Sequence, residues 1–326
     1  MELKLSSSVE TIGTNPSRSN QNVYWNELGV DARLEILSKI EGITGIFTFY
    51  PSDSLPSDPV KMLKKLDEFN LKPAQMYVDS NSNRKWKNGA FSNKEKHIRT
   101  DCIKLYKEAI DFAKEINADN VLLLPGMDGL DYPFQADPRD AWKYLVDTIR
   151  EICEYKSDVK IAIEPQKNAP RQRMYLSDIG KLQMLLNEIG LDNVGGVLDV
   201  GQLNISQGGM AEALTILNSH QKLFAIHLND NFRNAAPDMI MGSVHFWEFL
   251  ELFYYLNKTD FNGYCDLHLE SLLDDRVKSL ALSAKLTLKF KTLADKLTEH
   301  SDEIDSNLNN YRFVENIELI SKIIFK

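Results

Sequence analysis

Short, mostly apolar runs alternate along the chain with longer stretches in which apolar residues recur every three or four positions. The short runs cover residues 3–6, 45–50, 74–78, 121–124, 160–164, 196–200, 223–228 and 264–269, which makes eight candidate strands. Several are almost wholly apolar instead of alternating, the pattern of strands covered on both faces. Between them, residues 94–117 place Ile98, Cys102, Leu105, Ala109, Ile110, Phe112 and Ile116 on one broad stripe, as a helix packed on a sheet requires. Segments 138–155, 177–190, 209–219, 246–257 and 275–297 behave alike, with Ser177 and Ser243 as expected N-caps.

Eight strands alternating with helices, uninterrupted by a Gly/Ser linker, predict a single (β/α)8 barrel over residues 1–297. A doubly wound sheet is the competing architecture, but no strand leads into GxGxxG or a P-loop. Residues 298–326 are surplus: a polar connector at 302–307, then an apolar helix carrying Val314, Ile317, Leu319, Ile320, Ile323 and Ile324. That helix either packs under the barrel or docks on a neighbouring subunit of a homo-oligomer.

Composition narrows the partners. The 326 residues carry 38 Lys+Arg against 47 Asp+Glu, a formal charge of −9. This acidic balance argues against a nucleic-acid partner and against an anionic membrane surface. No apolar run reaches the roughly 20 residues needed to span a bilayer. Three scattered cysteines form no CxxC pair, and the first residues lack a signal-peptide core, so a cytoplasmic setting is expected.

In a barrel of this kind chemistry sits at the C-terminal strand ends. Four successive runs finish there with Glu164, Asp199, His227 (followed by Asn229 and Asp230), and the set Asp266, His268 and Glu270. Residues spaced by two share a face, so the last three point to one side. An apolar barrel has no packing reason to gather carboxylates and imidazoles, because burying unpaired charge is costly. A divalent cation (Mn2+, Mg2+, Co2+ or Zn2+) removes that cost.

The order of these motifs resembles the xylose isomerase-like barrels, sugar and sugar-phosphate isomerases and epimerases. The resemblance runs from about residue 86 to about 296. It is carried by Asn88-Gly89-Ala90-Phe91, Pro125-Gly126-Met127-Asp128-Gly129, Asp131-Tyr132-Pro133-Phe134-Gln135, Ile163-Glu164-Pro165, Leu198-Asp199-Val200-Gly201, His227-Leu228-Asn229-Asp230 and Gly242-Ser243-Val244-His245-Phe246-Trp247. It implies that Glu164, Asp199 and His227 are metal ligands, with His268 or Glu270 as the fourth. It also implies Glu164 as the catalytic base and Glu270 as the opposing acid.

The chain departs from the family pattern at the same mouth. Gln166 stands where the isomerase branch has Lys, Gln202 where relatives often have His, and His268 where a carboxylate is expected. The loop Asn234-Ala235-Ala236-Pro237-Asp238 retains one acid of an aspartate-rich segment. These changes point away from a two-metal hydride shift and toward proton transfer through an enediolate at a single metal. Trp86, Phe91, Tyr132 and Phe134 are expected to face a sugar, with Asp128, Gln135, Gln166, Gln202 and Asp238 available to its hydroxyls. The alternative is a catalytically impaired family member that binds sugar or serves as a partner subunit.

Overall fold

The computed structural model describes residues 3–13, 28–168, 170–270 and 275–325. In chain order the elements are β1 (Lys4–Ser8), α1 (Val30–Ser38), β2 (Ile43–Tyr50), α2 (Pro59–Asp67), β3 (Lys72–Val78), α3 (Lys96–Glu115), β4 (Asn120–Leu123), β5 (Gly129–Leu130), α4 (Pro138–Cys153), β6 (Ile161–Ile163) and β7 (Arg173–Met174). They continue with α5 (Ile179–Ile189), β8 (Val194–Asp199), α6 (Val200–Ser206), α7 (Met210–Ser219), β9 (Leu223–Leu228), α8 (Phe246–Leu256), β10 (Tyr264–Leu267), α9 (Arg276–Thr298), α10 (Ser301–Asn309) and α11 (Phe313–Ile324).

Eight parallel strands close in the order β1-β10-β9-β8-β6-β4-β3-β2, so the fold is the expected (β/α)8 barrel. The remaining two strands, β5 and β7, pair antiparallel as a small ribbon above the barrel. Strand alternation sorts the core into two parts. Residues facing the helices, such as Leu5, Ile46, Met76, Val121, Ile163, Leu198 and Ile226, join the large cluster formed with the helix stripes. Phe47, Leu122, Ala162, Val197 and Ala225 form a second cluster that plugs the barrel, packed by Phe49, Tyr77 and Phe224.

The plug fixes where the polar residues go. Two positions beyond Ala162, Val197 and Ala225 come Glu164, Asp199 and His227, so the same strand faces that hold the plug carry these side chains above it. Register completes the arrangement, with His227 opposite Asp199 on one side and Asp266 on the other. In the same way Gln75 lies opposite Asn120, and Ser6 opposite Asp266.

The helix boundaries differ slightly from those read in the sequence. Asp178, not Ser177, caps α5, its carboxylate accepting from Lys181 N at 2.9 Å. His245, not Ser243, occupies the N-cap position of α8. Residues 302–307, expected as a connector, are helical within α10, which packs against α11. Asp302 and Glu303 fall in its first turn, where acids favour a helix start. In α8 the stripe Phe249, Leu250, Phe253 and Tyr254 is buried, whereas Trp247 is half exposed.

Candidate metal centre

Asp199 ends β8 and caps α6, Oδ1 accepting from Gln202 N at 2.8 Å. Asn229 Nδ2 lies 3.3 and 3.4 Å from its two oxygens. The approach of Asn229 needs a glycine opposite, since a Cβ on Gly201 would overlap Asn229 Oδ1. Asp199 Oδ2 is thereby turned toward the imidazoles, 3.6 Å from His227 Nδ1 and 4.0 Å from His268 Nδ1. Glu164 Oε2 approaches from β6, 3.1 Å from His227 Nδ1.

The two imidazoles stack, with ring centroids 4.1 Å apart and planes 29° apart. Phe47 meets both rings edge-on. The His227 ring is also held at its far nitrogen, and a carboxylate oxygen lies beside the far nitrogen of His268. His227 Nε2 is 2.6 Å from Gln75 Oε1, and Gln75 Nε2 donates to Asn120 Oδ1 at 2.6 Å. His268 Nε2 is 2.8 Å from Asp266 Oδ2, while Ser6 Oγ donates to Asp266 Oδ1 at 2.5 Å.

The cluster is charged to suit a cation. Burial opposes the charged form of His227, but Asp199 and Glu164 outweigh it and raise the imidazole to about 10. Burial also opposes the Asp199 carboxylate, yet the neighbouring His227 and His268 hold it below its ordinary value. His268 is raised too: burial and the His227 charge lower it, while Asp266 and Asp199 prevail.

The cluster offers donors for a metal ion. Asp199, His227 and His268 each offer a ligand atom, all within 4.8 Å of one another. His227 Nδ1 is buried, close to two carboxylates and aligned with neither as a hydrogen bond. With Nε2 bonded to the Gln75 carbonyl oxygen, a neutral ring directs its Nδ1 lone pair at acid oxygens. Only a cation, either a proton or a metal, makes that arrangement favourable. Two imidazoles and the Asp199 carboxylate, with Glu164 beside His227 Nδ1 and the far nitrogen of His227 held by Gln75, form a donor set that fits a borderline divalent metal.

The other expected site residues are distributed unevenly. Trp86, Phe91 and Asp128 are sealed inside, 1%, 0% and 1% exposed, so the expectation that they face a sugar is corrected. Phe91 packs on Tyr106, and the Asp128 oxygens are consumed by Ala90 N, Phe91 N, Ser92 N and Ser92 Oγ at 2.6–3.0 Å. Asp128 is an internal staple for the 90–92 loop. Tyr132 and Phe134 are exposed beside the β5–β7 ribbon, and Gln135 Oε1 accepts from Asp131 N and Tyr132 N.

Gln166 is half-buried next to Glu164, and Gln202 is buried with Oε1 lacking a partner among the described residues. Asp238 and Glu270 meet through the backbone, Glu270 N donating to Asp238 O at 2.9 Å. Burial lowers the Arg276 guanidinium, and the nearby Glu270 carboxylate offsets part of that effect. Residues 271–274, which follow Glu270, lie outside the described set. Sequence reasoning missed Gln75 and Asn120, although a glutamine inside the otherwise apolar run 74–78 was a signal.

Comparison with known proteins shows the family. The family model described as xylose isomerase-like TIM barrel matches residues 36–285, and the chain belongs to that family. Xylose isomerase of Thermus thermophilus is 25% identical over 191 residues, covering 55% of this chain and 48% of that enzyme. Xylose isomerase of Rhizobium etli is 23% identical over 179 residues, covering 50% of this chain and 41% of that enzyme. The chain therefore spans about half the length of these relatives or less.

Among solved structures, an L-ribulose 3-epimerase superposes with a TM-score of 0.73 at 12% identity, over 92% of this chain and 98% of that one. D-psicose 3-epimerase from Clostridium cellulolyticum H10 gives 0.64 at 13% identity, over 90% and 99%. These two likenesses concern the fold.

Proposed function

We propose that the protein is a sugar isomerase or epimerase, and that a single divalent metal is held by Glu164, Asp199, His227 and His268. The observation that carries this reading is the buried, unaligned His227 Nδ1 between two carboxylates at the strand ends. Bound there, the metal would supply Lewis-acid stabilisation of the negative charge that develops on a sugar carbonyl oxygen.

The chain's own residues would handle the proton. Glu164 takes the proton from the carbon beside the carbonyl, giving an enediolate, and Glu270 is the acid proposed for the opposite face. Asn229 and the α6 backbone keep Asp199 in place, while Tyr132, Gln166, Gln202 and Asp238 are proposed to contact the sugar or sugar phosphate. The barrel unit, residues 1–297, carries the chemistry. Residues 298–326 are proposed to mediate a homo-oligomer, since Tyr311, Phe313, Val314 and Ile317 are exposed there.

No helix among the described residues is long and apolar enough to cross a membrane. Cys102, Cys153 and Cys265 are free and buried, which supports our placing the protein in the reducing cytoplasm.

The test is incubation of the Co2+- or Mn2+-supplemented chain with a panel of ketoses and ketose phosphates in D2O. Deuterium should enter next to the carbonyl of at least one sugar. Exchange with none of them, while sugars still bind, would favour the second reading, a binding protein descended from the enzymes. The specific observation behind that alternative is His268, an imidazole tied to Asp266 where the family pattern has a carboxylate.

A further inference from the structure

Beneath the proposed metal centre, two neutral amides are buried inside the barrel. Gln75 and Asn120 are each 3% exposed, and they occupy paired positions on β3 and β4. Burying such groups costs free energy unless they bond. They bond to each other and to one further group, the far nitrogen of His227.

We propose that Gln75 and Asn120 are positioning residues that dictate which nitrogen of His227 faces a metal. The inference rests on the metal reading above but adds a device outside the ligand set. Asn120 Oδ1 accepts from the Gln75 amide nitrogen, and that fixes the amide's direction. Gln75 Oε1 must then face His227, where it can only accept a hydrogen bond. His227 therefore carries a hydrogen on Nε2, and when the ring gives up its other proton, Nδ1 is the atom left to donate an electron pair on the side of Glu164 and Asp199.

A neutral acceptor suits the task, since it holds the Nε2 proton without adding charge below the site. The reversed network is the physical competitor. If both amides were turned round, Gln75 would donate to Nε2, and a neutral His227 would carry its hydrogen on Nδ1. That proton would simply bridge to the acids, and the cluster would be a structural ion pair.

Two measurements on the full chain separate these arrangements. In metal-free protein, histidine-ring 1H–15N spectra should show a slowly exchanging, downfield Nε2–H from His227. Gln75→Met should shift that signal and speed its exchange, whereas Gln75→Glu, which retains an accepting oxygen, should preserve it. A His227 ring with no hydrogen on Nε2, or a signal that Gln75→Met leaves unmoved, would overturn the proposal whether or not metal binds.

Co2+ titration supplies the second measurement. Loss of an outer partner of a metal-bound imidazole typically weakens binding by roughly 10–100-fold. Gln75→Met and Asn120→Ala should both fall in that range, and Gln75→Glu should recover most of the affinity. Unchanged affinity in Gln75→Met, or in Asn120→Ala should Gln75→Met not fold, would remove the positioning role. A wild-type chain that shows the Nε2–H signal but binds no Co2+ would sink the metal reading and leave the proton assignment standing.

Discussion

Asp230 and His245 sit near the same barrel mouth and make as close an acid–imidazole contact as any in the His227 cluster, 2.6 Å from Oδ1 to Nδ1. Their surroundings differ. Asp230 Oδ1 also accepts from Asn231 N at 2.9 Å, and Oδ2 accepts from Val244 N at 2.8 Å and His245 N at 3.1 Å. Every close donor is aligned, and the pair pins the loop that enters α8. Around His227 the atoms are equally buried, yet His227 Nδ1, Asn229 Oδ1 and Gln202 Oε1 lack an aligned partner among the described residues. A satisfied acid–imidazole pair is scaffold, whereas an unsatisfied one marks room for a ligand.

The sharpest way to break this contrast is to exchange the two histidines' fates. His227→Gln should weaken Co2+ binding beyond the roughly 10–100-fold that loss of an outer partner costs. His245→Gln should leave Co2+ stoichiometry and affinity unchanged and instead destabilise the fold by about 1.5–3 kcal/mol, the usual worth of a hydrogen bond to a charged group. Equal metal loss in both variants would erase the distinction.

Asp230→Ala should be the costlier scaffold change, on the order of 2–4 kcal/mol in urea unfolding. Three backbone N–H groups lose their acceptor, each at about 1–3 kcal/mol before loop relaxation. A loss below about 1 kcal/mol would mean that the loop is not held through Asp230.

The pH dependence of the metal-free chain supplies the third test. His227 is raised in the fold from 6.5 to about 10, because Asp199 and Glu164 outweigh its burial. Its stabilising contribution is complete below 6.5 and is lost as pH rises through about 10. Asp199, depressed by its imidazole neighbours against the effect of burial, contributes above 3.8 and loses that contribution as the solution becomes more acidic. Urea midpoints should fall with alkaline pH in the wild type and fall less steeply in His227→Gln. Parallel curves would show that His227 does not carry this linkage.

The smallest expected effect belongs to Gln202. Its Oε1 is buried without a partner among the described residues, so Gln202→Leu should change stability by less than about 1 kcal/mol, with a slight gain the favoured direction. The same change should weaken binding of whichever sugar the deuterium-exchange panel identifies. A large loss of stability would show that Gln202 belongs to the scaffold with Asp230.

Much of this contrast was legible in the sequence, though not all. Glu164, Asp199 and His227 could be placed because each stands at or near the C-terminal end of an apolar run, and that is a local pattern. Asp128 was misread because nothing local reveals that the 90–92 loop folds back on both its oxygens. The buried Trp86 and Phe91 were misread for the same reason, since an aromatic beside a loop motif can face inward or outward. Helix α10 was missed because the polarity of 302–307 outweighed its few apolar residues, although Ile304 is buried.

The sequence by itself determined the barrel, its order of strands and helices, and the acids and imidazoles that stand at the strand ends. Period-two and period-3.6 patterns are local consequences of backbone geometry, and they survive in a linear string. Tertiary structure decided which nitrogen of each imidazole faces the Asp199 carboxylate. The partners that decide it, Gln75 with Asn120 for His227 and Asp266 with Ser6 for His268, lie across strand pairings between residues distant in the chain. Only closure of the barrel brings them within hydrogen-bonding distance.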